Sequence, residues 1–224
     1  MSEQLIINLA DLKQGDSRSQ ELIEIVAGRI SQGEVIIAPL ESSYVFLGDA
    51  FNQSAVARIH ELRGDAPGTA CQVAIGSAAT LQGITQQLPA SLAELAREFW
   101  PGLLTLMVRP NAALQWDLGD GGALDTFAVR VPNQEFIREV ISRVGPVAVA
   151  SAAMSGRGAA LSLDETSALP GEISLYIDGG KFERSLLSTV VAVTPTGGVD
   201  CTRIGAISLE ELRKVLPAIG ASHL

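Results

Sequence analysis

Imidazole and thiol are scarce in this sequence: His60 and His223, Cys71 and Cys201 are the whole supply. His223 lies in the C-terminal tail and His60 falls within a helical pattern, so a zinc site or a His-based nucleophile triad has almost no material. Both cysteines sit in apolar, strand-like surroundings. They read as buried reduced thiols, with a disulfide or a ligand role as the alternatives.

The usual phosphate-binding signatures are absent or weak. No Gly-Lys-Ser/Thr occurs, which excludes a P-loop. Gly156-Arg157-Gly158 follows an apolar run and could let amides approach phosphate, or be a plain glycine turn; the third glycine of a dinucleotide fingerprint is absent. Gly119, Gly121 and Gly122 are flanked by carboxylates that repel phosphate, so that segment reads as a surface loop. Asp117, Asp120 and Asp125 do not match an EF-hand, and no protein-bound metal is expected.

The elements that must position these groups follow from apolar periodicity. Helices are expected at about 19–31, with Leu22, Val26 and Ile30 on one face, and after Asn52 as N-cap, with Ala55, Ile59 and Leu62 as the stripe. Further helices are expected at 91–99, at about 134–144, and from Ser208, where Glu211 completes a capping box. Short apolar strands are expected at 5–9, 34–38, 71–75, 103–108, 126–131, 146–151, 174–177 and 189–193. Strands interleaved with helices mean an α/β fold: a twisted mixed sheet, largely parallel, flanked by helices. The stretch 103–131 has no helix between its strands and is the place for an antiparallel pair.

The 224 residues are 47% hydrophobic and 18% charged, and 22 glycines and 10 prolines are spread evenly, so one domain over 1–224 is expected. The N-terminus lacks a basic start followed by an apolar run, and no apolar stretch approaches the roughly 20 residues that span a bilayer. A cytoplasmic protein with no membrane partner is the reading. A formal net charge of −9 with no basic run argues against nucleic-acid backbone as the main partner.

Seven segments in a fixed order carry a resemblance. Gly33-Glu-Val-Ile-Ile-Ala-Pro-Leu-Glu-Ser-Ser-Tyr44 looks like a strand running into Pro-Thr-Glu-Thr-Val-Tyr-Gly, and the helix from Ala55 to Asp65 like one ending in Lys-x-Arg. Phe99-Trp-Pro-Gly-Leu-Leu-Thr105, Phe127-Ala-Val-Arg-Val-Pro132 and Ser151-Ala-Ala-Met-Ser-Gly156 are close to Phe-Trp-Pro-Gly-Pro-Leu-Thr, a strand ending Arg-x-Pro, and Ser-Ala-Asn-x-Ser-Gly. Ser188-Thr-Val-Val191 and Thr202-Arg-Ile-Gly-Ala-Ile207 complete the set. Over residues 20–210 the chain resembles the YrdC-like, threonylcarbamoyl-AMP synthase family.

The resemblance implies a positively charged concave pocket for ATP (carrying Mg²⁺), L-threonine and bicarbonate, yielding threonylcarbamoyl-AMP and pyrophosphate for tRNA threonylcarbamoyladenosine formation. It also brings a family link with double-stranded RNA. Carried over residue by residue, Arg63, Thr105, Ser151, Ala153 and Arg203 fall at ATP-binding positions, and Ser42 and Ser188 at L-threonine-binding positions; no catalytic residue is named. The alternatives are a surface arginine for Arg203, a strand-start hydroxyl for Ser188, and backbone-satisfying hydroxyls for Ser151 and Thr105. Arg130 either lines the cleft or only pairs with a carboxylate, the structural role being favoured, and Tyr44 matches the family's tyrosine or is core packing with a satisfied hydroxyl.

Departures cluster where chemistry should be densest. The first threonine of Pro-Thr-Glu-Thr is Leu40, the glycine after tyrosine is Val45, and the lysine of Lys-x-Arg is Arg63. Its arginine is Asp65, a reversal of sign, and the asparagine of Ser-Ala-Asn is Ala153. An Asp65–Arg63 pair would withdraw positive charge from phosphate. Two functions follow: a working synthase, or a non-catalytic paralogue that binds nucleotide, RNA or a partner protein. On this reading, Asp65→Arg with Ala153→Asn should raise ATP affinity.

Overall fold

Apolar residues at a period of two build the centre of the molecule. In the computed structural model, which describes residues 5–13, 15–123, 125–168 and 172–221, eleven strands form one mixed sheet. They are β1 (Leu5–Asn8), β2 (Ile36–Pro39), β3 (Tyr44–Asp49), β4 (Gln72–Ala74), β5 (Leu104–Val108), β6 (Phe127–Arg130), β7 (Val147–Ser151), β8 (Leu175–Asp178), β9 (Thr189–Val193), β10 (Val199–Arg203) and β11 (Gly220–Ala221). Across the sheet they run β1-β8-β2-β3-β7-β4-β6-β5-β9-β10-β11. His223 lies outside the described residues.

The antiparallel pairing expected within 103–131 is β5 against β6. Antiparallel pairs also join β2 to β3, β3 to β7, β4 to β7 and β9 to β10, among parallel pairs such as β5 with β9 and β4 with β6. Three strands were not expected: β3, β10 and the two-residue β11. β3 is buried along nearly its whole length, so it shows no apolar–polar alternation to read, and β10 is half polar.

The helices are α1 (Ser17–Ser31), α2 (Gln53–Arg63), α3 (Leu81–Ile84), α4 (Ala90–Phe99), α5 (Glu135–Val144) and α6 (Leu209–Val215). Their caps are written in the sequence. Asn52 accepts the Ala55 N–H at 3.0 Å, and Ser208 and Glu211 form the expected capping box. Asp16 caps α1 by accepting the Ser19 N–H, which starts that helix two residues before the expected 19.

Alternation sorts the strand residues onto two cores. Ile37, Phe46, Val73, Leu106, Val129 and Val191 pack with α2, α4 and α6 on one face. Ile36, Ala38, Val45, Leu47 and Val149 pack with α1 and α5 on the other. α1 and α5 contribute to that second core alongside β2, β3, β7 and β8, whereas β5, β6 and β9 bury their apolar residues only in the first. Over β4, β6, β5 and β9 the far face carries Gln72, Arg130, Ala128, Thr105, Met107 and Val190, a mixture of polar, small and half-buried apolar side chains. That uncovered floor is where a cavity opens.

Candidate functional site

Strand ends and the turns that follow them carry the polar groups. A cavity of about 300 Å³ is lined by Ser42 after β2, Arg63 at the end of α2 with Asp65 just beyond it, Gln72 on β4, and Arg130 on β6. Ser151 on β7, Ser188 before β9 and Arg203 on β10 complete its polar wall. Of the residues singled out from the sequence, Ser42, Arg63, Ser151, Ser188 and Arg203 are thus brought together. Thr105 is buried beside them and reaches Ser188 Oγ at 2.8 Å. Ala153 does not line the cavity; its carbonyl accepts from Arg63 Nη1 at 3.0 Å.

Arg63 is held on three sides. Nε donates to Asp65 Oδ2 at 2.8 Å, and Nη1 donates to the carbonyls of Ser151 at 2.5 Å and Ala153. The Asp65 side chain is only 2% exposed, and its Oδ2 also lies 2.9 Å from His60 Nδ1. Burial pushes this carboxyl up, but hydrogen bonds from Arg63, His60 and Ser155 outweigh it and hold it below its ordinary value. His60 Nε2 in turn faces the Leu118 carbonyl at 2.9 Å. The pair foreseen between Asp65 and Arg63 therefore exists, as a structural clamp between α2 and the 151–153 turn.

Arg130 is likewise engaged. Its Nη1 meets both oxygens of Glu41 at 2.7 and 2.8 Å, and Glu41 also accepts the Asn133 N–H. Arg203 stands apart: among the described residues it is the one arginine lining the cavity without a carboxylate partner. Its Nε and Nη2 donate to the Ser188 carbonyl, and Nη2 also to Ser188 Oγ at 3.0 Å. The positive charge expected of the pocket is thus reduced to this guanidinium and to what Arg63 retains beside Asp65.

The turn holding Arg203 is stapled from below. Thr189 Oγ1 donates to the Ile207 carbonyl and accepts from the amides of Gly205 and Ile207. At Gly205 a Cβ would collide with the carbonyl oxygen of Leu187 and the backbone of Ser188, so only glycine lets the two segments close this tightly. Ser42 pins the opposite rim, donating to the Leu186 carbonyl at 3.2 Å and accepting its N–H at 3.0 Å. Its hydroxyl is spent on the 186–188 segment.

Other sequence candidates resolve into structure. Tyr44 is fully buried; its hydroxyl sits between Asp178 Oδ1 and the Gly180 carbonyl and accepts from Gly179 N–H, as its reading as satisfied core packing had it. Gly156-Arg157-Gly158 is a turn outside the cavity, with Gly156 at φ +77°. Asp117 accepts the amides of Gly119 and Gly121 and shapes its own loop. Cys71 and Cys201 are buried free thiols, and burial pushes Cys71 up to about 12. Leu40 and Val45 line the cavity as apolar wall where the resemblance has threonine and glycine.

Sequence reasoning missed Gln72 and Glu41. A glutamine inside the apolar run 71–75 was the visible signal for the first. Glu41 stands at the glutamate of the Pro-Thr-Glu-Thr pattern, but its pairing with Arg130, 89 residues away, has no mark in the sequence.

Comparison with known proteins fits this geometry. Residues 29–205 match the Sua5/YciO/YrdC family model, described as "Telomere recombination". A Mycobacterium tuberculosis protein provisionally named a threonylcarbamoyl-AMP synthase is 35% identical over 95% of this chain and 96% of its own length. The threonylcarbamoyl-AMP synthase of Pyrococcus abyssi is 34% identical over 88% of this chain, which spans 58% of that protein's length. The crystal structure of P. abyssi Sua5 complexed with L-threonine superposes with a TM-score of 0.84 at 30% identity, covering 98% of this chain and 63% of that one. With more than three quarters of its length matched, this chain belongs to the Sua5/YciO/YrdC family.

Proposed function

We propose that the chain is a threonylcarbamoyl-AMP synthase. The observation that carries this reading is the convergence of Ser42, Arg63, Ser151, Ser188 and Arg203, from five separate stretches of sequence, on one cavity. Named synthases among the relatives, and a relative whose structure holds L-threonine, support it.

The threonine amine attacks the bicarbonate carbon and water leaves, giving the N-carboxylate; a carbamate oxygen then attacks the α-phosphorus of ATP, and the bond to pyrophosphate breaks as the new P–O bond forms. Mg²⁺ enters bound to the ATP phosphates. Arg203 faces the nucleotide phosphates with its free Nη1, and Ser151 Oγ, a buried atom without a partner among the described residues, is available to a ligand oxygen. Ser188 faces the amino acid, and Ser42 acts by holding the rim. No covalent nucleophile is required. We place this activity in one cytoplasmic domain with tRNA modification as its purpose; no helix among the described residues is long and apolar enough to cross a membrane.

A second reading, the non-catalytic paralogue, has one observation in its favour: Asp65 takes up part of the Arg63 charge. Pyrophosphate release from ATP, Mg²⁺ and bicarbonate, with and without L-threonine, decides between them. Threonine-dependent release is expected. Its absence, with folded protein and an active synthase alongside, would overturn the first reading. RNA contact gains nothing from the charge distribution, since Arg63 and Arg130 are both paired.

A further inference from the structure

Three hydroxyl and amide groups on the cavity floor form a chain. Gln72 Nε2 donates to Thr105 Oγ1 at 2.7 Å, and Thr105 Oγ1 lies 2.8 Å from Ser188 Oγ. Arg203 Nη2 closes on Ser188 Oγ at 3.0 Å. Gln72 on β4 reaches Thr105 on β5 across β6, where the small side chain of Ala128 lines the same floor.

The direction of this chain follows from donor counting. A guanidinium only donates, so Ser188 Oγ accepts from Arg203. Thr105 accepts from the Gln72 amide, and its own proton, on a side chain that is 2% exposed, has Ser188 Oγ as acceptor. Ser188 then accepts twice, and its single proton is left uncommitted within the protein, on a residue that lines the cavity.

We propose that Gln72 is a positioning residue whose amide directs the relay Gln72→Thr105→Ser188, so that Ser188 donates to a carboxylate oxygen of the amino-acid substrate. This rests on the reading that Ser188 faces the amino acid. An ammonium group at the same place would find no acceptor lone pair free on Ser188. Reversal of the relay, from Arg203 through Ser188 and Thr105 into an acceptor at position 72, consumes the Ser188 proton and abolishes the preference.

Gln72→Glu forces that reversal, because a carboxylate at neutral pH only accepts. By calorimetry, L-threonine binding to the full chain is expected to weaken about tenfold or more, the loss of one hydrogen bond to a charged group. In turnover, KM for L-threonine should rise while kcat at saturating amino acid holds. A charge effect alone would look similar, so the substitution is repeated with Thr105→Val, which cuts the relay: there Gln72→Glu should add little. Equal weakening in both backgrounds overturns the relay, as does unchanged binding by Gln72→Glu. Gln72→Met, neutral and of similar length, carries the test if the glutamate variant melts early. It should weaken binding several-fold, and no change overturns the proposal. Wild-type protein that binds no L-threonine overturns instead the amino-acid reading of the cavity.

Discussion

Asp65 Oδ2 accepts the Arg63 Nε–H at 2.8 Å while facing His60 Nδ1 at 2.9 Å, so one buried carboxylate joins two basic side chains from the end of α2. The residue that reverses the sign of the family motif is therefore a structural hub. Through Arg63 it ties the helix to the carbonyls of Ser151 and Ala153.

Replacing that carboxylate by a cation should damage the fold before it helps a nucleotide. Asp65→Arg, alone or with Ala153→Asn, would crowd three basic groups into a site whose anion is 2% exposed. Breaking a buried ion pair costs about 3–5 kcal/mol. Urea melts should show a loss of that order, in place of the gain in ATP affinity that the motif comparison suggested.

Acid should expose the same carboxylate. Its folded value lies below the ordinary 3.8, so the stability it contributes is fully present above that pH and is lost as pH falls through the lower folded value. Glu34 behaves alike: burial raises it, but hydrogen bonds from Ser174 and Arg29 bring it below its ordinary value. Thermal melts should be nearly flat at about pH 5–7 and fall below about pH 4. Asp65→Asn should give a lower plateau with a shallower acid limb.

Removing the cavity-lining arginine that has no carboxylate partner among the described residues should affect nucleotide use more than stability. Arg203 is an exposed residue whose contacts are with Ser188. A charge-assisted hydrogen bond contributes about 1.5–3 kcal/mol, so Arg203→Ala should lower kcat/KM for ATP by about tenfold to a hundredfold. Pyrophosphate release at varied ATP measures this, with little change expected in the melting temperature.

Neither thiol should react in the folded protein. Burial pushes Cys71 up to about 12 and raises Cys201 as well. With the thiolate as the reactive form, Cys71 alkylation at pH 8 should run about a thousandfold slower in native than in unfolded protein. Mass spectrometry after iodoacetamide treatment reads this out residue by residue.

The sequence by itself determined α1, α2, α4, α5 and α6, because caps such as Asn52 and the Ser208–Glu211 box are local and the apolar stripes of α1, α4 and α5 need only a period of 3.6; the single turn of α3 is too short to show one. It also singled out Ser42, Arg63, Ser151, Ser188 and Arg203, which the fold brings to one cavity, because their order along the chain carries the resemblance. It did not show β3, whose nearly complete burial erases alternation, nor how strands far apart in sequence pair across the sheet. Only the tertiary structure decided how the polar groups are used. Asp65 clamps Arg63, Glu41 occupies Arg130 from 89 residues away, Ser42 holds the rim, and Gln72 meets Thr105 across an intervening strand. Hydrogen-bond partners are chosen by distance in space, and a linear pattern holds no record of that distance until the sheet has brought its strands together.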